Sequence, residues 1–276
     1  ADSPAERLAA QQAFAESVLW AGDVLATTAG AAAETLVDFS SFLASDRHGI
    51  ADRLEQAKQG KYAIDKERSA ALPEAKSFPD NTELEGLLTF TGPGEGAFVQ
   101  QVAMDPHALS VRQHVSLVRL PGAGYVPRAY HPASGGFSSG YFDFAQPLGD
   151  SLDVRWQPRF RLEKTDPTAA RSPVKKPIVF YLDPGTPEPV RSALLEGANW
   201  WKAAFEQAGF QDAFRVELLP PGADPMDIRY NVIAWVHRAT RGWSYGAALS
   251  DPRSGEIIKG SVTLGSQRVR QDILIA

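Results

Sequence analysis

The chain of 276 residues contains no cysteine. That absence removes disulfides, thiolate zinc sites, iron–sulfur clusters and thiol nucleophiles together. It leaves the compartment open, because a cysteine-free chain suits cytosol and periplasm alike. Histidine is also scarce. His48, His107, His114, His131 and His237 are the whole set, and no two have the four-residue spacing that puts two imidazoles on one helical face. No stretch approaches the roughly 18 consecutive apolar residues of a membrane-spanning helix. Positive charge is not in excess: 28 Lys and Arg against 33 Asp and Glu leave a net charge of −5, so nucleic acid is not the default partner. Residue 1 is Ala with no basic-then-apolar leader, and the chain stops inside the run Ile273-Leu274-Ile275-Ala276, which reads as a piece of a longer protein.

What is present is an ordinary globular composition, 43% hydrophobic and 22% charged. Acidic residues concentrate upstream, with a net charge of −6 over residues 1–172 and +1 over 173–276. The polar, Pro-containing stretch 164–173 lies between the two, so two domains are expected, 1–172 and 173–276. The expected class is α+β, a mostly β upstream domain followed by an α/β domain.

Upstream, the Ala-rich residues 4–33 favour helix without regular apolar spacing, and residues 50–59 read as a short helix ended by Gly60. Residues 83–90, 96–102, 110–120 and 152–162 read as strands between Gly, Pro, Asp and Ser clusters. Downstream, residues 177–182 form the unbroken apolar run of a strand buried on both faces. Thr186 is placed to cap a helix that Pro187 and Glu188 open, and Val190, Leu194, Trp201, Phe205 and Ala208 follow at helical spacing up to Gly209. Residues 214–218, 230–237, 246–250 and 256–264 complete five strands, for which the expected order is 2-1-3-5-4 beside one long helix.

Chemistry is sparse. His107 and His114 with Asp105 are the one set able to gather around an ion, hydrogen-bonded histidines being the simpler reading. Gly92, Gly94 and Gly96 lack the phosphate-loop lysine and a following helix, which points to a turn. Ser138, Ser139 and Ser244 lack a nucleophile-elbow context. Arg229, Arg238 and Arg241 sit among aromatics and acids, an arrangement that suits ligand recognition or, more simply, a strand whose ends are fixed by ion pairs and stacked rings.

The runs 177–190, 224–233, 235–238, 240–246 and 251–260, with Glu196-Gly197 and Trp200-Trp201, resemble the bacterial zinc-dependent metalloproteases of metzincin-like type. Upstream, Leu36-Val-Asp-Phe39, residues 78–83, 112–116 and 159–164 resemble the uncharacterised domain that precedes the catalytic domain there. The resemblance implies a partial zincin-like domain with a five-stranded mixed sheet. It also implies an extracytoplasmic parent, periplasmic, outer-membrane associated or secreted. Zinc and a His-Glu-x-x-His helix are expected in the parent beyond residue 276. This chain therefore carries no catalytic residue and no metal ligand, and is expected to be inactive alone.

What the resemblance leaves here is the substrate side. The edge strand Gly246, Ala247, Ala248, Leu249 and Ser250 is expected to pair with an extended peptide or protein substrate, the alternative being a strand that packs against the upstream domain. A non-enzymatic binding or accessory module of the cell envelope is the competing function. With the catalytic helix absent, Val232, Trp235, Ile257 and Val262 are expected on an apolar face that favours self-association or is covered by the chain's own upstream residues.

Overall fold

The computed structural model of the chain describes residues 4–30, 33–238 and 243–275. The chain is α+β and strand-rich. It divides into two compact units, Ala15–Val118 and Ala1–Phe14 together with Arg119–Ala276.

The unit Ala15–Val118 is built on a four-stranded antiparallel sheet. Strand β1 (Ala63–Ala71) and the short β2 (Lys76–Ser77) both pair with β3 (Asn81–Thr91), whose other side pairs along its full length with β4 (Ala108–Val118). Helix α1 (Ile50–Gln56) brings Ile50, Ala51 and Leu54 onto buried Tyr62, Leu88, Phe90 and Val99. Helix α1 stops before Gly60, with Lys58 in the left-handed region at φ 57°. Residues 96–102, expected as a strand, form helix α2 (Ala97–Val102) instead. Its Phe98 and Val99 N–H groups donate to Gln59 Oε1 at 2.9 and 3.2 Å, so the cap comes from a residue about 40 positions away that no local pattern reveals.

In the second unit the Ala-rich start is helical only over Pro4–Ala13. Of the expected strand at 152–162 only β6 (Asp153–Trp156) forms, as a hairpin with β5 (Ser139–Phe142). The main sheet contains β7 (Ile178–Leu182), β8 (Phe214–Leu218), β9 (Asn231–Val236), β10 (Tyr245–Ser250) and β11 (Ile257–Gly265). Their order is β8-β7-β9-β11-β10, the expected 2-1-3-5-4, with only β10 antiparallel to its neighbour. One face carries Leu182, Val216 and Ile233 under Leu194, Leu195 and Ala198. Gly260 belongs to this packing: a Cβ there would lie 2.6 Å from the Phe180 ring.

The expected long helix is two, α3 (Val190–Asn199) and α4 (Trp201–Gln207). Between them the Asn199 amide leaves the helix to bond the backbone of Val216, donating to its carbonyl at 2.9 Å and accepting its N–H at 2.9 Å. Phe205 stacks on Phe214, but Trp201 is exposed rather than core-facing. Thr186 is buried without capping α3; the Glu188 carboxylate instead accepts the Ser192 N–H at 3.2 Å. Gly209 ends α4 as expected, at φ +86° with Ala170 O where a Cβ would stand.

The compact units divide at Val118/Arg119, whereas composition points to 172/173. Residues 119–172 belong to the unit that holds this sheet: Arg159 bridges Glu256 in parallel, and Ser172–Pro173 forms a separate two-stranded ladder with Phe210–Gln211. Val232, Trp235, Ile257 and Val262 are not on an exposed patch. Val232 is buried, Val262 packs beneath α3, and the other two are half-buried. Among the described residues no helix is long and apolar enough to cross a membrane.

Candidate functional site

The two edges of the five-stranded sheet are unlike. At β8 the Asn199 amide occupies the outward N–H and C=O of Val216 much as a neighbouring strand would. At β10 one side pairs with β11 from Tyr245↔Thr263 to Ala248↔Gly260, and residues 245–249 are all exposed. Among the described residues no strand lies on its other side. An edge of this kind is a template for an added strand unless something blocks it. All five expected residues, Gly246 to Ser250, lie in this one strand.

Strand alternation sorts their side chains. Gly246 and Ala248 pair with Val262 and Gly260 on the helix-bearing face, while Tyr245, Ala247 and Leu249 pair with Thr263, Ser261 and Lys259 on the other. The approach to β10 is held by the start of helix α5 (Ser266–Ile275). There Gly265 N–H donates to Ser244 Oγ at 3.2 Å, Gln267 Nε2 donates to Arg238 O at 2.9 Å, and Ser266 Oγ meets His237 Nδ1 at 2.8 Å. Among the described residues no carboxylate pairs with His237, so this hydroxyl–imidazole contact lacks the third member of a catalytic triad. Arg238 lies over the Tyr245 ring at 5.4 Å and donates to Trp243 O at 3.1 Å. Sequence reasoning grouped Arg238 with a generic strand end, and only the register shows it beside the edge. Arg241 lies outside the described residues, and Arg229 is taken up by an ion pair with Asp227.

At the opposite turn of the β10–β11 hairpin, Asp251 accepts from Arg253 at 2.7 Å and from its backbone N–H at 2.9 Å. The Arg253 guanidinium and that N–H hold the Asp251 carboxyl below its ordinary range against the cost of burial.

A cavity of about 560 Å³ opens at the amino ends of β7 and β9. Most of its charged lining is engaged, Arg161 with Glu256, Lys175 with Glu163, and Arg229 with Asp227, and Lys176 lines it as well.

In the unit Ala15–Val118 the expected histidine set does not assemble. His107 Nδ1 meets Gly92 O at 3.2 Å and its N–H donates to Asp105. His114 instead contacts buried Glu83, which also accepts from Ser116 Oγ at 2.6 Å and from Asn81. Burial opposes the Glu83 charge, but the Ser116, Asn81 and His114 bonds outweigh it, and the carboxyl sits below its ordinary range. Among the described residues no group of three or more His, Asp or Glu is arranged to hold a metal ion. A helix does follow Gly92, Gly94 and Gly96, contrary to the sequence reading, but Gln59 already occupies its first N–H groups.

A family model described as Domain of unknown function (DUF5117) matches residues 1–165. The match ends within the polar stretch 164–173 and stops short of the five-stranded sheet. No curated protein and no solved structure matches the chain.

Proposed function

We propose that this chain, which belongs to the DUF5117 family, is the non-catalytic part of a metzincin-like zinc metallopeptidase and that β10 is where its peptide substrate lies. The observation that carries this reading is the sheet order β8-β7-β9-β11-β10, with a single antiparallel strand left open at the edge. An extended chain laid along β10 would gain main-chain hydrogen bonds that require no particular side chain. Gly246 and Ala248 keep the helix-bearing side of that edge low, so the backbone of a bound strand can approach without collision.

Zinc, in this reading, belongs to the parent protein and would supply the activated water. The described residues offer no ligand set for it, so no step of hydrolysis is assigned to them. What these residues do is bind and align. Ser244, Arg238 and Gln267 fix the entry to the edge, and β11 fixes its register.

Two measurements test the proposal. The 276-residue chain is expected to show only background cleavage of a quenched fluorogenic peptide with or without zinc. The full gene product is expected to cleave it, and to stop when a chelator is added. Hydrogen exchange on the chain with an extended peptide present is expected to slow at residues 245–250. A full gene product inert with zinc, joined to protection elsewhere by an envelope glycan or protein, would favour the accessory-module reading instead.

A further inference from the structure

We infer that β10 favours a peptide with a large apolar side chain opposite Ala247 and a carboxylate beyond the position opposite Tyr245. This rests on the reading of β10 as binding an antiparallel peptide and adds register and chemistry to it.

The apolar requirement comes from the outer face of the strand. Tyr245 and Leu249 are 50% and 45% exposed, and across β11 they face Thr263 and Lys259, which give them no apolar cover. Ala247 stands between them, so the face is a notch with an aromatic wall and an aliphatic wall. In a paired strand, a side chain directly opposite one residue also reaches that residue's diagonal neighbours. A Phe or Leu opposite Ala247 would therefore touch both Tyr245 and Leu249. The inner face makes no such demand. There Gly246 and Ala248 offer a ligand side chain no wall to touch.

The carboxylate preference comes from charge. The Arg238 guanidinium lies over Tyr245, and among the described residues its one acceptor is the neutral Trp243 carbonyl. The other end differs: Asp251 is neutralised by Arg253, and the Lys259 ammonium is held by Pro225 O and Asp227 O. Antiparallel addition puts the carboxyl-terminal side of the ligand at Tyr245, which suits Arg238. A second copy of β10 fits less well, because its own end offers Arg238 only an Asp251 that is already paired.

The test uses fluorescein-labelled, C-terminally amidated Val-Thr-Phe-Thr-Val-Thr-Glu, whose Phe and Glu share one face, a version with Ala for Phe, and a version with Lys for Glu, titrated into the 276-residue chain by anisotropy. Replacing Phe with Ala is expected to weaken binding about fivefold. Replacing Glu with Lys is expected to weaken it about threefold at low salt, with the difference vanishing at high salt. Ala247→Phe fills the notch and is expected to erase the preference for Phe over Ala. Arg238→Gln is expected to erase the preference for Glu over Lys. Equal affinity for all three peptides, with residues 245–250 still protected from exchange, overturns this inference and leaves the edge reading standing. No binding and no protection overturns both. Concentration-dependent dimers that Ala247→Phe abolishes would name a second copy as the occupant and likewise overturn it.

Discussion

Arg161 holds the Glu256 carboxylate through two parallel bonds of 2.8 Å, Nε to one oxygen and an Nη to the other. Glu256 is buried, and Arg161 also lies over the Tyr125 ring at 5.7 Å. A carboxylate in such a place depends on its partner, because removing the guanidinium leaves a charge out of water. Arg161→Ala is expected to destabilise the chain by about 2 kcal/mol, discounted for the partial exposure of the arginine. Adding Glu256→Gln to it is expected to restore part of that loss. A urea-denaturation double-mutant cycle measures both.

Glu83 makes the unit Ala15–Val118 acid-sensitive. Its folded pKa is depressed, so its contribution is complete above the unfolded value of about 4.3 and is lost as pH falls through the folded one. Glu83→Gln is expected to lower stability by about 2 kcal/mol at neutral pH. It should also flatten the fall in stability between about pH 5 and 3, which denaturation midpoints across that range would record.

Gly260 and Gly246 face each other's strands, yet their tolerance should be opposite. Gly260→Ala drives a methyl to within 2.6 Å of the Phe180 ring, and about 2 kcal/mol of destabilisation is expected. Gly246→Ala makes only an ordinary contact with Ser261 O at 3.8 Å and is expected to change the midpoint little. Thermal unfolding of the two variants side by side checks the contrast.

Leu182 is fully buried at the centre of the second core, between Val216 and Ile233. Leu182→Ala should cost about 3 kcal/mol, because the packed helix above it cannot collapse fully into the space. Calorimetry should show this in the transition of the unit that contains the five-stranded sheet.

The sheet was readable because its strands announce themselves locally. Residues 177–182 are uniformly apolar, Gly209 marks a stop, and a helix between parallel strands has one favoured hand. The edge position of residues 246–250 came from the family resemblance, and their small side chains indicated only that a neighbour could approach closely. Other elements were set by distant contacts that no local window contains. Helix α2 is capped by Gln59, and the break at Trp200 follows from Asn199 reaching Val216. Strand β1 hides behind Asp65, Lys66, Glu67 and Arg68, a charged run the sheet absorbs as a register shift. The contact of Arg238 with Tyr245 joins two residues that no strand or helix period brings together.

Asn199 also decides how far any assembly of this sheet can grow. Head-to-tail stacking of one molecule's β10 on the next molecule's β8 would be a heterologous contact, which repeats without limit. With the Val216 N–H and C=O taken by the Asn199 amide, a strand arriving at the middle of β8 would first have to displace that side chain. One asparagine thus makes the two edges unequal, and it hinders the repeat at its second docking point.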